Sequence, residues 1–82
     1  MSETVLLKIA ILETLKQFDR PINEKTIMLS LSVTYSMKST YTEVRECLSM
    51  LEENRYILSI TNAIRGVLWG LTDKGHAELS NC

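Results

Sequence analysis

Thr40-Tyr41-Thr42-Glu43-Val44-Arg45-Glu46-Cys47-Leu48-Ser49-Met50-Leu51-Glu52-Glu53-Asn54 is the stretch on which the reading of this chain turns. Val44, Cys47, Leu48 and Leu51 recur at i, i+3, i+4 and i+7, the spacing that gathers apolar side chains on one face of an α-helix. Thr40 and Glu43 have the separation of a capping box. Asn54 can take the left-handed conformation that stops a helix. These signals predict a helix over about 40–54. Directly after it come Ile57-Leu58-Ser59-Ile60-Thr61 and Val67-Leu68-Trp69-Gly70-Leu71. Both are rich in β-branched and aromatic residues. The link between them, Asn62-Ala63-Ile64-Arg65-Gly66, is short and has glycine near its end. A hairpin over about 57–71 is predicted, with Val67, Trp69 and Leu71 alternating onto the face that packs on the helices. Trp69 is read as a core anchor. Thr72 or Asp73 then caps a short helix over about 73–79 that carries Ala77 and Leu79.

Towards the N-terminus two more helices are expected. The first runs over about 3–18, starting at Ser2 or Thr4, with Leu7, Ile11, Leu15 and Phe18 as its core stripe. Val5, Ile9 and Leu12 form a second apolar stripe roughly opposite. A surface helix of a monomer is not apolar on both sides. Either other elements of the domain cover that stripe or a second subunit does. The expectation adopted is a homodimer through helix 1, with Val5, Ile9 and Leu12 at its interface. Asp19-Arg20-Pro21 ends the helix, because proline drives the preceding residue out of the helical region. Asn23 is a good N-cap for helix 2, over about 23–32, which buries Ile27, Met28 and Leu31. Ile22 is placed to staple onto Ile27. Thr34-Tyr35-Ser36-Met37-Lys38-Ser39 shows no period and reads as a turn, longer than that of a compact helix-turn-helix.

Size and composition bound the function. Eighty-two residues make one domain with a thin core. Apolar residues are 45% and charged residues 23%, which points to a packed globular chain rather than a disordered one. The longest apolar run, Val5 to Leu12, is broken by Lys8 and lacks the flanks of a secretion signal, so a cytoplasmic protein away from membranes is expected. Two cysteines and one histidine cannot build a four-ligand zinc site, and no metal or cofactor is expected. Cys47 reads as a small buried hydrophobe and Cys82 as a free terminal thiol. A thiol enzyme would need Cys47 beside His76, but a core-facing Cys47 lacks the electropositive setting of a reactive thiolate. No catalytic residues are assigned and the chain is not read as an enzyme. The net charge of −1 lacks the basic excess that usually drives phosphate binding.

Three segments carry a resemblance. They are Pro21-Ile22-Asn23-Glu24-Lys25, then Leu48-Ser49-Met50-Leu51-Glu52-Glu53-Asn54-Arg55-Tyr56-Ile57, and then Trp69-Gly70-Leu71-Thr72-Asp73-Lys74-Gly75. With these segments the chain resembles the winged helix-turn-helix superfamily of small prokaryotic, phage and archaeal-virus transcription regulators. The resemblance spans about 6–79. It implies a mainly α fold with a small β-hairpin, an α+β domain in the order helix-helix-helix-strand-strand-helix. It also implies sequence-specific binding to double-stranded DNA, with helix 3 in the major groove and the wing on the flanking groove.

Mapped onto this sequence, the resemblance offers Tyr41, Thr42, Arg45 and Ser49 on the exposed early face of helix 3. Arg45 is placed for guanine or phosphate, Thr42 and Ser49 for phosphate or base edges. Lys38, Ser39 and Thr40 lie at the helix start, where free N–H groups attract phosphate. Arg65 at the wing tip suits a narrow minor groove. Each has a plainer reading: an ion pair of Arg45 with Glu46 or a bond to Ser49, an exposed turn residue at 65, a core-edge aromatic at Tyr41. Glu46 is the awkward residue, a carboxylate facing phosphate. The rival function is a winged-helix protein-interaction module that binds a protein partner through acidic helix 3 or apolar helix 1, without DNA.

Overall fold

A computed structural model describes residues 3–81, with side chains described from residue 5 onward. Cys82 lies outside the described residues. The elements in order are α1 (Glu3–Phe18), β1 (Ile22–Asn23), α2 (Glu24–Thr34), α3 (Tyr41–Glu53), β2 (Ile57–Asn62), β3 (Gly66–Leu71) and α4 (Asp73–Ser80). The three strands form one antiparallel sheet in the order β1-β3-β2. The fold is thus α+β, with three helices, a hairpin and a fourth helix, as the sequence predicts.

The helix starts are set by side-chain caps. Asn23 Oδ1 accepts from the Thr26 backbone N–H and from the Thr26 hydroxyl, each at 2.8 Å, and opens α2. Thr40 and Glu43 form the full capping box ahead of α3. Asn23 also extends into β1, so one short stretch serves sheet and helix. The two-residue strand β1 is absent from the sequence reading, which foresees only the hairpin. Ile22 pairs with Trp69 across the ladder and is buried among the helices. Two residues of strand carry too little period to be read locally.

Helix α1 is the central element. It packs against α2, α3, α4 and β3. Leu7, Ala10, Ile11, Leu12 and Leu15 are all buried, joined by Ile27 and Leu31 of α2, by Val44, Cys47, Leu48 and Leu51 of α3, and by Ile22, Ile57 and Leu79. This corrects the reading of the second α1 stripe. Leu12 is 0% exposed, so it is a core residue and not an interface residue. Ile9 is half-buried and only Val5 is exposed. The domain itself covers most of that stripe, because neighbours pack on several sides of one helix. Even the polar Thr14 is sealed in. Its hydroxyl donates to the Ala10 carbonyl at 2.7 Å and lies 3.4 Å from the Ser30 hydroxyl across the α1–α2 contact.

Two further expectations are corrected. Phe18 is exposed rather than core, because the chain turns away at Asp19, whose φ is 52°, just past the edge of the packed region. The left-handed stop of α3 is Arg55, with φ 64°, not Asn54. Asn54 instead donates its side-chain amide to the Met50 carbonyl at 2.8 Å.

In the hairpin, Ile57 pairs with Leu71, Ser59 with Trp69 and Thr61 with Val67, so these share the helix-facing side. Trp69 and Leu71 pack on the core, but Val67 is exposed because it lies past the reach of the helices. Leu68 is buried on the opposite side. Beside it on that side Leu58 and Ile60 are partly open, and Pro21 covers Gly70.

Candidate nucleic-acid interface

Buried Val44, Cys47, Leu48 and Leu51 hold α3 against the domain by one face. The remaining face presents Tyr41, Thr42, Arg45, Glu46 and Ser49 to solvent. Tyr41 is 53% exposed, which removes it from the core edge. Its ring centroid lies 5.9 Å from the Arg45 guanidinium carbon, at the outer reach of a cation–π contact.

Arg45 has an ion-pair partner that neither plain reading of the sequence names. Its Nε donates to Glu24 Oε1 at 3.1 Å and Oε2 at 3.3 Å, from α3 to the first turn of α2. Glu24 is recognisable in sequence only as an acid that suits a helix N-terminus. Its second role is invisible there, because the two residues meet only once α2 and α3 are packed. With 70% of the Arg45 side chain exposed, the pair is weakly held, on the order of 0–1 kcal/mol.

The start of α3 is already occupied by the chain itself. Thr40 N–H donates to Glu43 Oε1 at 3.0 Å, and so does the Thr40 hydroxyl, while Glu43 N–H donates to Thr40 Oγ1 at 3.2 Å. The backbone and hydroxyl bonds from Thr40 hold the Glu43 carboxyl below its ordinary value. Thr40 therefore shapes the helix start and spends its donors internally, rather than offering them to a phosphate. Lys38 is exposed and Ser39 half-buried just ahead of it.

Of the four acidic residues of α3, Glu43 and Glu52 are engaged in hydrogen bonds, and Glu46 and Glu53 are exposed. Lys38, Ser39, Glu43 and Glu46 line a hollow of about 740 Å³ between α1, the segment before α3 and α3 itself, together with Leu6, Met37, Cys47 and Met50. Glu52 turns toward the sheet, where Oε2 accepts from Ser59 N–H at 3.0 Å and from its hydroxyl at 2.6 Å. Arg45 lies on the α2 side. The exposed face thus carries Arg45, paired with Glu24, and Glu46, together with Thr42 and Ser49.

Arg65 stands exposed at the hairpin tip. Asn62 Oδ1 accepts from the N–H of Ile64 at 2.8 Å and of Arg65 at 2.9 Å, and Gly66 takes φ 79° to close the turn. Beside Arg65, Ile64 is 95% exposed. The sequence reading names Ile64 only as part of a turn. Its apolar β-branched side chain in a polar position is the signal that could have marked it.

Cys47 is buried, and burial pushes its thiol up, with a smaller opposing pull from Lys8. That is the opposite of an activated nucleophile. His76 sits on the exposed side of α4. Among the described residues, no three His, Cys, Asp or Glu side chains converge as a metal site, and no helix is long and apolar enough to cross a membrane.

No family model matches the chain, and no curated protein matches it. Solved structures do. The chain is similar to a structure from Clostridium thermocellum described as a transcriptional regulator, with a TM-score of 0.81 at 18% identity, covering 99% of this chain and 82% of that one. It is also similar to a structure from Thermoplasma acidophilum assigned to transcriptional regulation, with a TM-score of 0.79 at 18% identity, covering 95% of this chain and 75% of that one. At this identity the shared property is the fold: four helices with a three-stranded antiparallel sheet, as in these regulators.

Proposed function

We propose that the domain is a winged helix-turn-helix module that binds duplex DNA in transcription regulation. Helix α3 enters the major groove, with Arg45, Thr42 and Ser49 at base edges or phosphates. Lys38, Ser39 and Tyr41 contact the backbone beside it, and Arg65 on the β2–β3 wing reaches the flanking groove. The observation that carries this reading is the exposed polar face of α3. Arg45, Thr42 and Ser49 are open to solvent there, while Glu43 is engaged in the cap and Glu52 by Ser59. A net charge of −1 does not exclude phosphate binding, because the local field and not the total decides it. The fold likeness to regulator structures adds support.

The test is salt-dependent binding to random duplex DNA. Affinity should fall by about 0.9 log unit per log unit of salt for each phosphate neutralised. Arg45→Ala and Arg65→Ala should each flatten that slope by about one such increment. Absence of binding at low salt would remove the reading.

A homodimer would double the contacts of one small domain. Exposed Val5 and Leu6 and half-buried Ile9 at the start of α1 are its proposed contacts, with Leu12 excluded by burial. A sizing run on the same sample gives the oligomer, and Ile9→Glu should yield monomers.

A second reading, a protein-interaction module without DNA binding, is favoured by a different surface. Leu29 is 64% and Val33 73% exposed on α2, beside Phe18. It predicts no duplex affinity at any salt concentration.

A further inference from the structure

The β2–β3 hairpin contains one charged residue, Arg65, and no acid. At its tip the most exposed large hydrophobic residue of the described chain, Ile64, points into solvent with 95% of its surface open. Turn tips favour Gly, Asn, Asp and Ser, which tolerate the backbone and hydrate well. An isoleucine there fits neither propensity nor solvation. Places where a local rule is broken without a folding gain are where function is expected.

The tip is also held firmly for so small a turn. The Asn62 carboxamide accepts from both the Ile64 and the Arg65 N–H, and Gly66 supplies the positive φ that brings the chain back. Ile64 and Arg65 are therefore presented together on a preset loop, and little ordering is lost when they engage a partner.

We infer that Ile64 is an apolar wedge that enters a base step of the DNA minor groove, beside Arg65, and bends the duplex. This rests on the DNA-binding reading above. Apolar side chains inserted at a base step partly unstack it and kink the helix, and a flanking arginine is attracted by the negative potential of the minor groove. The preferred target is a flexible pyrimidine–purine step such as TA, where opening costs least. Arg65 as the hairpin's single charge favours an anionic partner.

The experiment uses a short duplex with 2-aminopurine at a central TA step and a donor–acceptor pair on its ends. Binding is followed by anisotropy. Wild-type protein should raise 2-aminopurine fluorescence and shorten the end-to-end distance. Ile64→Ser should bind roughly tenfold more weakly, with the salt slope unchanged and the duplex straight, while Ile64→Leu should restore bending. At 95% exposure either variant leaves folding intact, which circular dichroism checks. A straight duplex under bound wild-type protein, or equal bending by Ile64→Ser, overturns the wedge while the DNA-binding reading stands. Absence of duplex binding at low salt overturns that reading and the wedge with it. Co-sedimentation of wild type but not Ile64→Ser with anionic vesicles, without duplex binding, would assign the tip to a lipid surface instead.

Discussion

The turn after α3 and the tip of the hairpin are both short reversals, built in opposite ways. After α3 almost every polar group is engaged. The Thr72 hydroxyl donates at 2.6 Å to the Arg55 carbonyl and lies 2.9 Å from that of Tyr56, and it accepts from Gly75 N–H at 3.1 Å. Lys74 Nζ donates to the Asn54 carbonyl at 2.8 Å. It also shares the Tyr56 ring with Lys8, at 4.8 and 4.9 Å from the centroid. At the hairpin tip the bonds within the turn come from one asparagine, and the side chains of Ile64 and Arg65 face outward. The difference teaches where sequence identity is spent. The Leu71-Thr72-Asp73-Lys74-Gly75 stretch serves the scaffold, locking α4 onto the end of α3. The tip has little packing to maintain, so its residues are free to serve a ligand.

The two glycines sharpen this contrast, since the same methyl group meets opposite surroundings. A Cβ on Gly75 would run into the Tyr56 carbonyl oxygen and the Leu71 side chain. The carbonyl belongs to backbone fixed by the lock and cannot yield. Gly75→Ala should therefore destabilise the domain by about 3 kcal/mol, read as a lower urea midpoint with unchanged slope. A near-neutral result would mean that the lock is looser than its bonds indicate. A Cβ on Gly66 meets nothing within 4 Å, but φ is 79° there. Gly66→Ala should cost only the left-handed backbone penalty, about 1 kcal/mol. If the two variants cost the same, the distinction between packed lock and open tip fails.

The lock was legible in outline and the interface less so, for a physical reason. Periodicity and caps are local, so α3, its Thr40–Glu43 box and the hairpin follow from neighbouring residues. What needs the packed molecule is any fact that joins distant segments. The Arg45–Glu24 pair is of that kind, as is the seating of β1 on β3. The fate of Leu12 is another. Its apolar neighbours Val5 and Ile9 repeat the pattern of an interface, and only the packing of α1 against several elements shows that a central helix needs apolar residues on more than one side. Glu46 remains an exposed carboxylate on the same face as Arg45. Its position over the hollow beside α1 depends on the segment before α3, which has no period to read.

Arg55 gives the smallest and most discriminating test of the lock. It holds φ 64°, a conformation that costs an L-residue roughly 1–2 kcal/mol and glycine almost nothing. Its carbonyl is the acceptor for Thr72, so the strained backbone is kept in place by the lock rather than by its own side chain. Arg55→Gly relieves the strain but also loosens the unfolded chain, which returns part of the gain. The net expectation is a stabilisation of about 0.5 kcal/mol, seen as a higher urea midpoint. A destabilised variant would show that the exposed Arg55 side chain supports the turn.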